Sequence, residues 1–456
     1  MNTMEQAEPV RLPRLSRAAT RRRAEQPGWN NLLAQAVFAG FLALSMAGPW
    51  MTAIGGFAMS EYRTIGYLAL FAAALVSVRP WQQPQRLLAV PWPIAAALLY
   101  CLASLAWGLS FEDGLRKIAL TAIIVWSLFA LVRETGAERT VAITRIIMFG
   151  LLICNYLIVL LAPEIAIRPN AVDIWAGPWR GAMGQKNWAG FACAITVLLC
   201  VFDARSVPMP LRIGFGAGAG LFLIFTNSET SMWMCPLALI CGGLFHLQST
   251  RQGQKQLASP NWAWAPLAIF AFIFLTMAIT PEPYFEMVSD PTGFTGRNQI
   301  WAALIKLYVD QPVTGIGFGS IWDIGDTRAI SQYASGWIIE QSQGHNGYLD
   351  LLVQIGAPGA LLVLFATLIW PLQRLLRGGD HPARTLGAAL MIFCIGHNFT
   401  ETTIFDRDTL GQVTLMIAIA LIWSVTAAAV PTARPISAAR VRDAGDKRRR
   451  RRSKSG

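Results

Sequence analysis

Apolar runs of about 17–22 residues recur along most of the chain, separated by short polar connections; helices of that length cross roughly 30 Å of hydrocarbon. The runs predict twelve membrane spans, at 32–51, 62–78, 91–108, 113–132, 142–162, 187–202, 210–226, 231–247, 262–280, 348–370, 385–402 and 409–430. The second and the eleventh are the shortest. Most connections are brief, but two on the same side are not: 163–186, and the domain-sized segment 281–347. Inside the longer one, Ile300, Trp301, Leu304, Ile305 and Tyr308 recur at helical spacing between Gly296 and Val309. That stripe predicts an amphipathic helix lying along the membrane surface. The "DQPVTGIGFGS" that follows brings Pro312 and three glycines, which permit tight turns and close backbone approach.

Composition agrees with the pattern and excludes a soluble multidomain protein. Charged residues are 14%, against roughly 25% in a soluble domain. Lys and Arg also order the topology. With the N-terminus inside, about 28 of the 38 basic residues fall on cytoplasmic segments, as the positive-inside rule expects. Twelve spans then leave both termini in the cytoplasm. The resulting organisation is a basic arm (1–31), nine spans (32–280), a large periplasmic loop (281–347), three spans (348–430) and a basic tail (431–456). Some thirty polar residues precede the first apolar run, so no cleavable signal peptide is expected. The tail "DKRRRRRSKSG" has the composition of a nucleic-acid patch. Beside a final span it reads instead as a topology determinant drawn to anionic lipid heads, with no nucleic-acid partner. All seven cysteines fall inside apolar spans, and no metal-ligand spacing occurs, so neither a disulfide framework nor a metal is expected.

The chemistry-bearing residues collect at one membrane boundary. His246 and His381 fall at cytoplasmic ends. His345 and His397 lie toward the outer face, each followed by Asn, in "GHNGY" and "GHNFTET". A His-Asn pair at the start of a span can serve simply as a helix cap. Arg180 and Arg297 stand where apolar helices begin, a costly place for a cation unless it pairs or serves a ligand. An arginine fork fits phosphate oxygens, and a neutral imidazole can take a proton from a hydroxyl. Two arginines and a histidine on one face therefore suit holding a lipid-linked pyrophosphate while a hydroxyl displaces it.

Gly296-Arg297, Trp301, Pro312, Gly315, Gly317, Gly319, His345-Asn346, Tyr348, Gly356 and Gly359, with "RGAMGQKNWAG" and "NSETS", make up a pattern that resembles the O-antigen ligase and polymerase superfamily. Within it, the likeness is closest to exopolysaccharide polymerases of the kind that build succinoglycan. The resemblance covers about 180–190 and 290–360. It implies an all-α polytopic membrane protein of about twelve transmembrane helices with a large periplasmic loop, in the manner of membrane glycosyltransferases of the C type. It implies a metal-independent glycosyltransferase without cofactor in the bacterial inner membrane. The enzyme would polymerise polyprenyl-pyrophosphate-linked repeat units or, alternatively, ligate such a glycan to an acceptor such as lipid A core. The implied partners are the polyprenyl-pyrophosphate-linked donor, a glycan acceptor, the bilayer, a chain-length regulator and export machinery. By position His345 matches the family's general base, and Arg180 and Arg297 its pyrophosphate contacts. Lys186 and Asn187 fit a motif in either a structural or a substrate-binding role, and Gln343, Asn346, Asn398 and Glu401 are further substrate-binding candidates.

Two other classes share the topology. A transporter or flippase would place ionisable groups at the midplane, often in two similar halves. Here the span centres carry almost no charge. A scaffolding protein would have no reason to gather arginines, histidine and glycine turns on one face.

Overall fold

The computed structural model describes residues 28–168, 176–203, 206–254, 296–322, 329–377 and 381–427, with short pieces between 275 and 286. The arm up to residue 27, most of the expected span 262–280 and the tail from 428 lie outside the described residues. The described chain is an all-α polytopic membrane protein. Its helices are α1 Trp29–Val78, α2 Trp92–Ala103, α3 Phe111–Thr135, α4 Ala137–Leu161, α5 Pro163–Ala166, α6 Lys186–Val201, α7 Met209–Thr226, α8 Glu229–Gln254, α9 Arg297–Asp310, α10 Gly347–Leu364, α11 Trp370–Arg377, α12 Pro382–His397 and α13 Leu410–Ala427. Among the described residues, six helices are long and apolar enough to cross a membrane, and further apolar helices are shorter. Ile146, Leu160 and Ile240 point outward from the bundle, which hydrocarbon tolerates and water would not.

The element α1 holds both the first and the second expected spans. Drawn straight, its 50 residues would reach about 75 Å, more than twice the hydrocarbon thickness. Instead, the rings of Phe41 and Tyr67 lie 5.8 Å apart, where a straight helix would separate them by about 39 Å. Gly40 faces Leu70 and Gly66 faces Leu44, so the two described halves of α1, up to residue 47 and from residue 62, pack antiparallel against each other. The tenth and eleventh expected spans shift at their C-terminal ends. The tenth continues through a π-helical stretch, Phe365–Ile369, and reaches Leu376. The eleventh ends at His397 rather than 402, and residues 398–409 form a folded link to α13.

The glycine-rich loop has its explanation in a break in α10. Pro358 has no amide to offer Gln354 O, and Gly356 takes φ 64°, ψ 177°. The chain replaces the lost helical bonds one by one. Ala357 N donates to Pro312 O (2.8 Å), Ile316 N to Val353 O (2.9 Å), and Gly317 N to Gln354 O (2.8 Å). Gly319 N donates to Gln354 Oε1 at 2.7 Å. In a bilayer, irregular backbone survives only where protein satisfies it, and here the loop after α9 does so. The close approach explains the glycines: a Cβ on Gly356 would collide with Val313 O, and one on Gly317 with Gly108 Cα.

The expected surface helix is present as α9, but it does not lie on lipid. Ile300, Trp301, Leu304, Ile305 and Tyr308 are all buried, and the helix packs on α10. The side chains of Gln299, Lys306 and Asp310 form its exposed edge. Trp301 Nε1 donates to Gly344 O at 3.0 Å, and the Tyr308 hydroxyl donates to Ala278 O. The apolar stripe found a protein partner, which periodicity does not specify.

Replacing Gly356 with Ala should cost roughly 2–4 kcal/mol, from a strained left-handed backbone plus the clash with Val313 O. The expected outcome is a clear fall in the unfolding temperature of the detergent-solubilised protein, while Gly220→Ala, in open space, leaves it near the parent value.

Candidate functional site

The polar residues meet where α6, α8, α9 and α10 begin and where α12 ends. The turn before α10 is built first. Asn346 is its N-cap, with Oδ1 accepting from Tyr348 N and Leu349 N at 3.1 Å each. Gly347 N donates to Asn398 O (3.0 Å), and the Tyr348 hydroxyl donates to Ile395 O (2.7 Å), fastening α10 to the end of α12. Asn398 Oδ1 then accepts from Thr403 N, Thr403 Oγ1 and Ile404 N, which shapes the link beyond α12. A Cβ on Gly347 would strike the Asn398 side chain.

Asp350 ties these pieces together. Its buried carboxylate accepts from Trp322 Nε1 (2.9 Å), Gly344 N (3.0 Å) and the Thr402 hydroxyl. One side chain thus holds the residue before His345, the residue after Glu401 and the end of the glycine loop. His345 itself sits at φ +51°, a left-handed conformation uncommon for a residue with a Cβ. The surrounding bonds impose it, and strain of this kind gathers at working sites.

Glu401 is the hub. Its Oε1 accepts from Arg297 Nη2 and from Asn187 Nδ2, both at 2.6 Å, and its Oε2 lies 3.1 Å from His345 Nδ1. Arg297 Nη1 also donates to Thr400 O at 2.5 Å. The carboxylate is nearly fully buried. Burial alone would raise the Glu401 carboxyl, but the His345 hydrogen bond and the Arg297 guanidinium outweigh it and hold the group below its ordinary value. The carboxylate therefore stays ionised across the neutral range. It fixes the ring and leaves Nε2 of His345 as the nitrogen not engaged by it.

The expected residues divide into two sets. Arg297, His345, Asn187 and Glu401 come together. Arg180 is placed elsewhere: its Nε donates to Ile165 O at 2.8 Å, and its backbone amide to Ala166 O. Lys186 Nζ donates to Asn227 O at 2.9 Å, closing the start of α6 onto the turn before α8. Asn346 is used as a cap, and Gln343 lines a cavity beside the turn. His397 is buried, with Nε2 3.2 Å from Ser231 Oγ in "NSETS" and its ring edge-on to Phe191. Asp350 was not singled out from the sequence. Its signal was available: a carboxylate one residue pair into a membrane-length apolar run has to be paired. Among the described residues, no group of His, Cys, Asp and Glu is arranged to hold a metal ion.

Residues 215–364 match the family model described as O-antigen ligase. That match covers 150 of the 456 residues, about a third of the chain. The matched stretch contains Arg297 and His345, and it ends inside the span that begins at α10. The family match supports polymerase or ligase activity in polysaccharide assembly, on lipid-linked glycans at the bilayer. No curated protein matches the chain.

Because the Glu401 carboxyl is held below its unfolded value of about 4.3, the stability it contributes is fully present above that pH and is lost as pH falls through the lower folded value. Thermal unfolding of the parent and Glu401→Gln between pH 3 and 7 should therefore show the widest gap above about pH 5 and converging temperatures at the acid end.

Proposed function

We propose that the protein polymerises polyprenyl-pyrophosphate-linked oligosaccharide repeat units at the periplasmic face of the bacterial inner membrane. The observation that carries this reading is the convergence of Arg297 and His345 on one buried carboxylate at the headgroup end of the bundle. The bias of basic residues toward the opposite ends of the spans supports cytoplasmic termini and a periplasmic site.

In this reading Glu401 holds the His345 ring through Nδ1, as a carboxylate orients a catalytic imidazole. Nε2 takes the proton of an acceptor sugar hydroxyl. The acceptor oxygen forms a bond to the anomeric carbon, the bond from that carbon to the pyrophosphate oxygen breaks, and its electron pair leaves with the polyprenyl pyrophosphate. Attack from the face opposite the leaving group inverts the anomeric centre. Thr400 O and Glu401 take two of the five guanidinium N–H groups of Arg297. The fork has donors left for the leaving pyrophosphate, whose developing charge it stabilises. Arg180 and Lys186 belong to the same motif as Asn187, which reaches Glu401. They serve as further cations for the donor lipid, with a smaller share of the chemistry because their bonds run to backbone carbonyls. No metal takes part.

A second reading has its own support: the matched family model is described as O-antigen ligase. A ligase would use the same residues to transfer a finished glycan to a lipid acceptor such as lipid A core. Products separate the two. Purified protein given only the lipid-linked repeat unit yields a ladder if it is a polymerase and nothing longer than the donor if it is a ligase.

His345→Ala and Arg297→Ala should each lower transfer by about 10²- to 10⁴-fold, and Arg180→Ala by less, in membranes carrying equal amounts of protein. Full-length product at the parent rate from His345→Ala would overturn the assignment.

A further inference from the structure

A cavity of about 40 Å³ lies beside the turn that carries His345, and Arg297, His345 and Glu401 are not among its lining residues. Gln343, two residues before His345, lines it; so does Thr402, the residue after Glu401. Trp322, Asp406, Arg407 and Lys117 line it as well. The Lys117 ammonium donates to Gly319 O (2.9 Å) and Trp322 O, anchoring the glycine loop that forms part of the lining. Phe405 (φ 60°) and Arg407 (φ 45°), which flank Asp406, are both left-handed non-glycine residues. The link beyond α12 is thus held in a strained form where it faces the cavity, the pattern met at ligand clamps.

The lining selects a ligand class. The amide of Gln343, the carboxylate of Asp406 and the guanidinium of Arg407 line it beside apolar Phe318, Ile321, Leu351 and Ile404, while the Thr402 hydroxyl and the Trp322 indole N–H already serve Asp350. Lys117 and Arg407 balance Asp350 and Asp406 in formal charge, so it has no cationic surplus for a pyrophosphate. A water molecule needs about 10–15 Å³ by the same measure. The cavity accordingly admits the hydroxyl-bearing edge of a sugar ring and excludes a lipid diphosphate.

Resting on the polymerase-or-ligase reading above, we propose that this cavity is the acceptor subsite, where the terminal sugar of the acceptor glycan inserts a neutral, hydroxyl-bearing edge and thereby sets one hydroxyl against Nε2 of His345. Donor and acceptor then lie on opposite sides of the Glu401–His345 pair, the donor pyrophosphate toward Arg297 and the acceptor toward Gln343 and Arg407. Gln343 and Arg407 are specificity-determining residues in this arrangement.

The test uses the full chain in lipid nanodiscs, its lipid-linked donor and a soluble glycan ending in one repeat unit as acceptor. Gln343→Ala removes a polar contact inside the cavity. Ser342→Trp, at an exposed position on its rim, obstructs the mouth without removing any internal bond. Each should raise the acceptor KM by about tenfold and leave the donor KM unchanged. An unchanged acceptor KM in both variants, with His345→Ala inactive, overturns the acceptor subsite alone. A rise confined to the donor KM overturns it too, because it assigns the cavity to the pyrophosphate end. Full activity in His345→Ala overturns instead the catalytic reading on which it rests.

Discussion

A carboxylate buried at the edge of the hydrocarbon has to be paired, and the site is organised around that requirement. Glu401 brings one negative charge into a nearly closed position; left alone it would be neutralised or expelled. Three segments remote in sequence supply its partners: Asn187 at the start of α6, Arg297 at the start of α9, and His345 before α10. The same bonds that make the charge tolerable fix where each of those helices begins. Position of the helices and preorganisation of the imidazole are consequently one interaction seen from two sides. The arrangement also confines the cation: a guanidinium held by a carboxylate and by Thr400 O cannot swing away to find lipid phosphate on its own.

The second constraint is backbone satisfaction. Pro358 and Gly356 open α10 in the middle of a membrane-length segment, and a broken helix in hydrocarbon is viable only if another backbone replaces its bonds. The loop Pro312–Gly319 does this amide by amide. Its far end, at Trp322, then reaches Asp350, which also grips Gly344 and Thr402. The break is therefore connected to the site: it seats the loop, the loop presents Trp322, and Trp322 helps fix the carboxylate that shapes the turn carrying His345. Pro312, Gly315, Gly317, Gly319 and Gly356 of the motif, with Pro358 beside it, belong to this scaffold rather than to chemistry.

This division explains what the sequence could reveal. Spans were legible because their signal is run length, and among the described residues the helices fall near the expected places, apart from the C-terminal ends of the tenth and eleventh. Even the doubling back of α1 follows the gap between its two apolar runs. The apolar stripe of α9 was legible as well, but a stripe says only that a face needs covering; α10 covers it where a lipid surface would have served equally. Arg180 and Arg297 looked alike, each a cation at the mouth of a helix. They differ in what the fold puts opposite them, backbone carbonyls for one and a carboxylate for the other. No local pattern encodes that difference. Nothing local marks Glu401 as the hub for the same reason, since its partners are 56, 104 and 214 residues away. Asp350 was the miss with a readable cause, an acidic residue inside an apolar run.

Retaining a buried ion pair needs a reason beyond stability, because apolar residues of similar size would often hold such a junction as well or better. Here the pair does something an apolar contact cannot. It leaves an imidazole with one nitrogen engaged and a guanidinium with donors to spare, both at fixed positions where the helices begin. In the proposed reaction a lipid-borne pyrophosphate and a water-borne sugar meet at the boundary between their two phases. The energetic cost of burying Glu401 is offset by its bonds to Asn187, Arg297 and His345, and on the proposed reading the same bonds hold the groups that act on the two substrates.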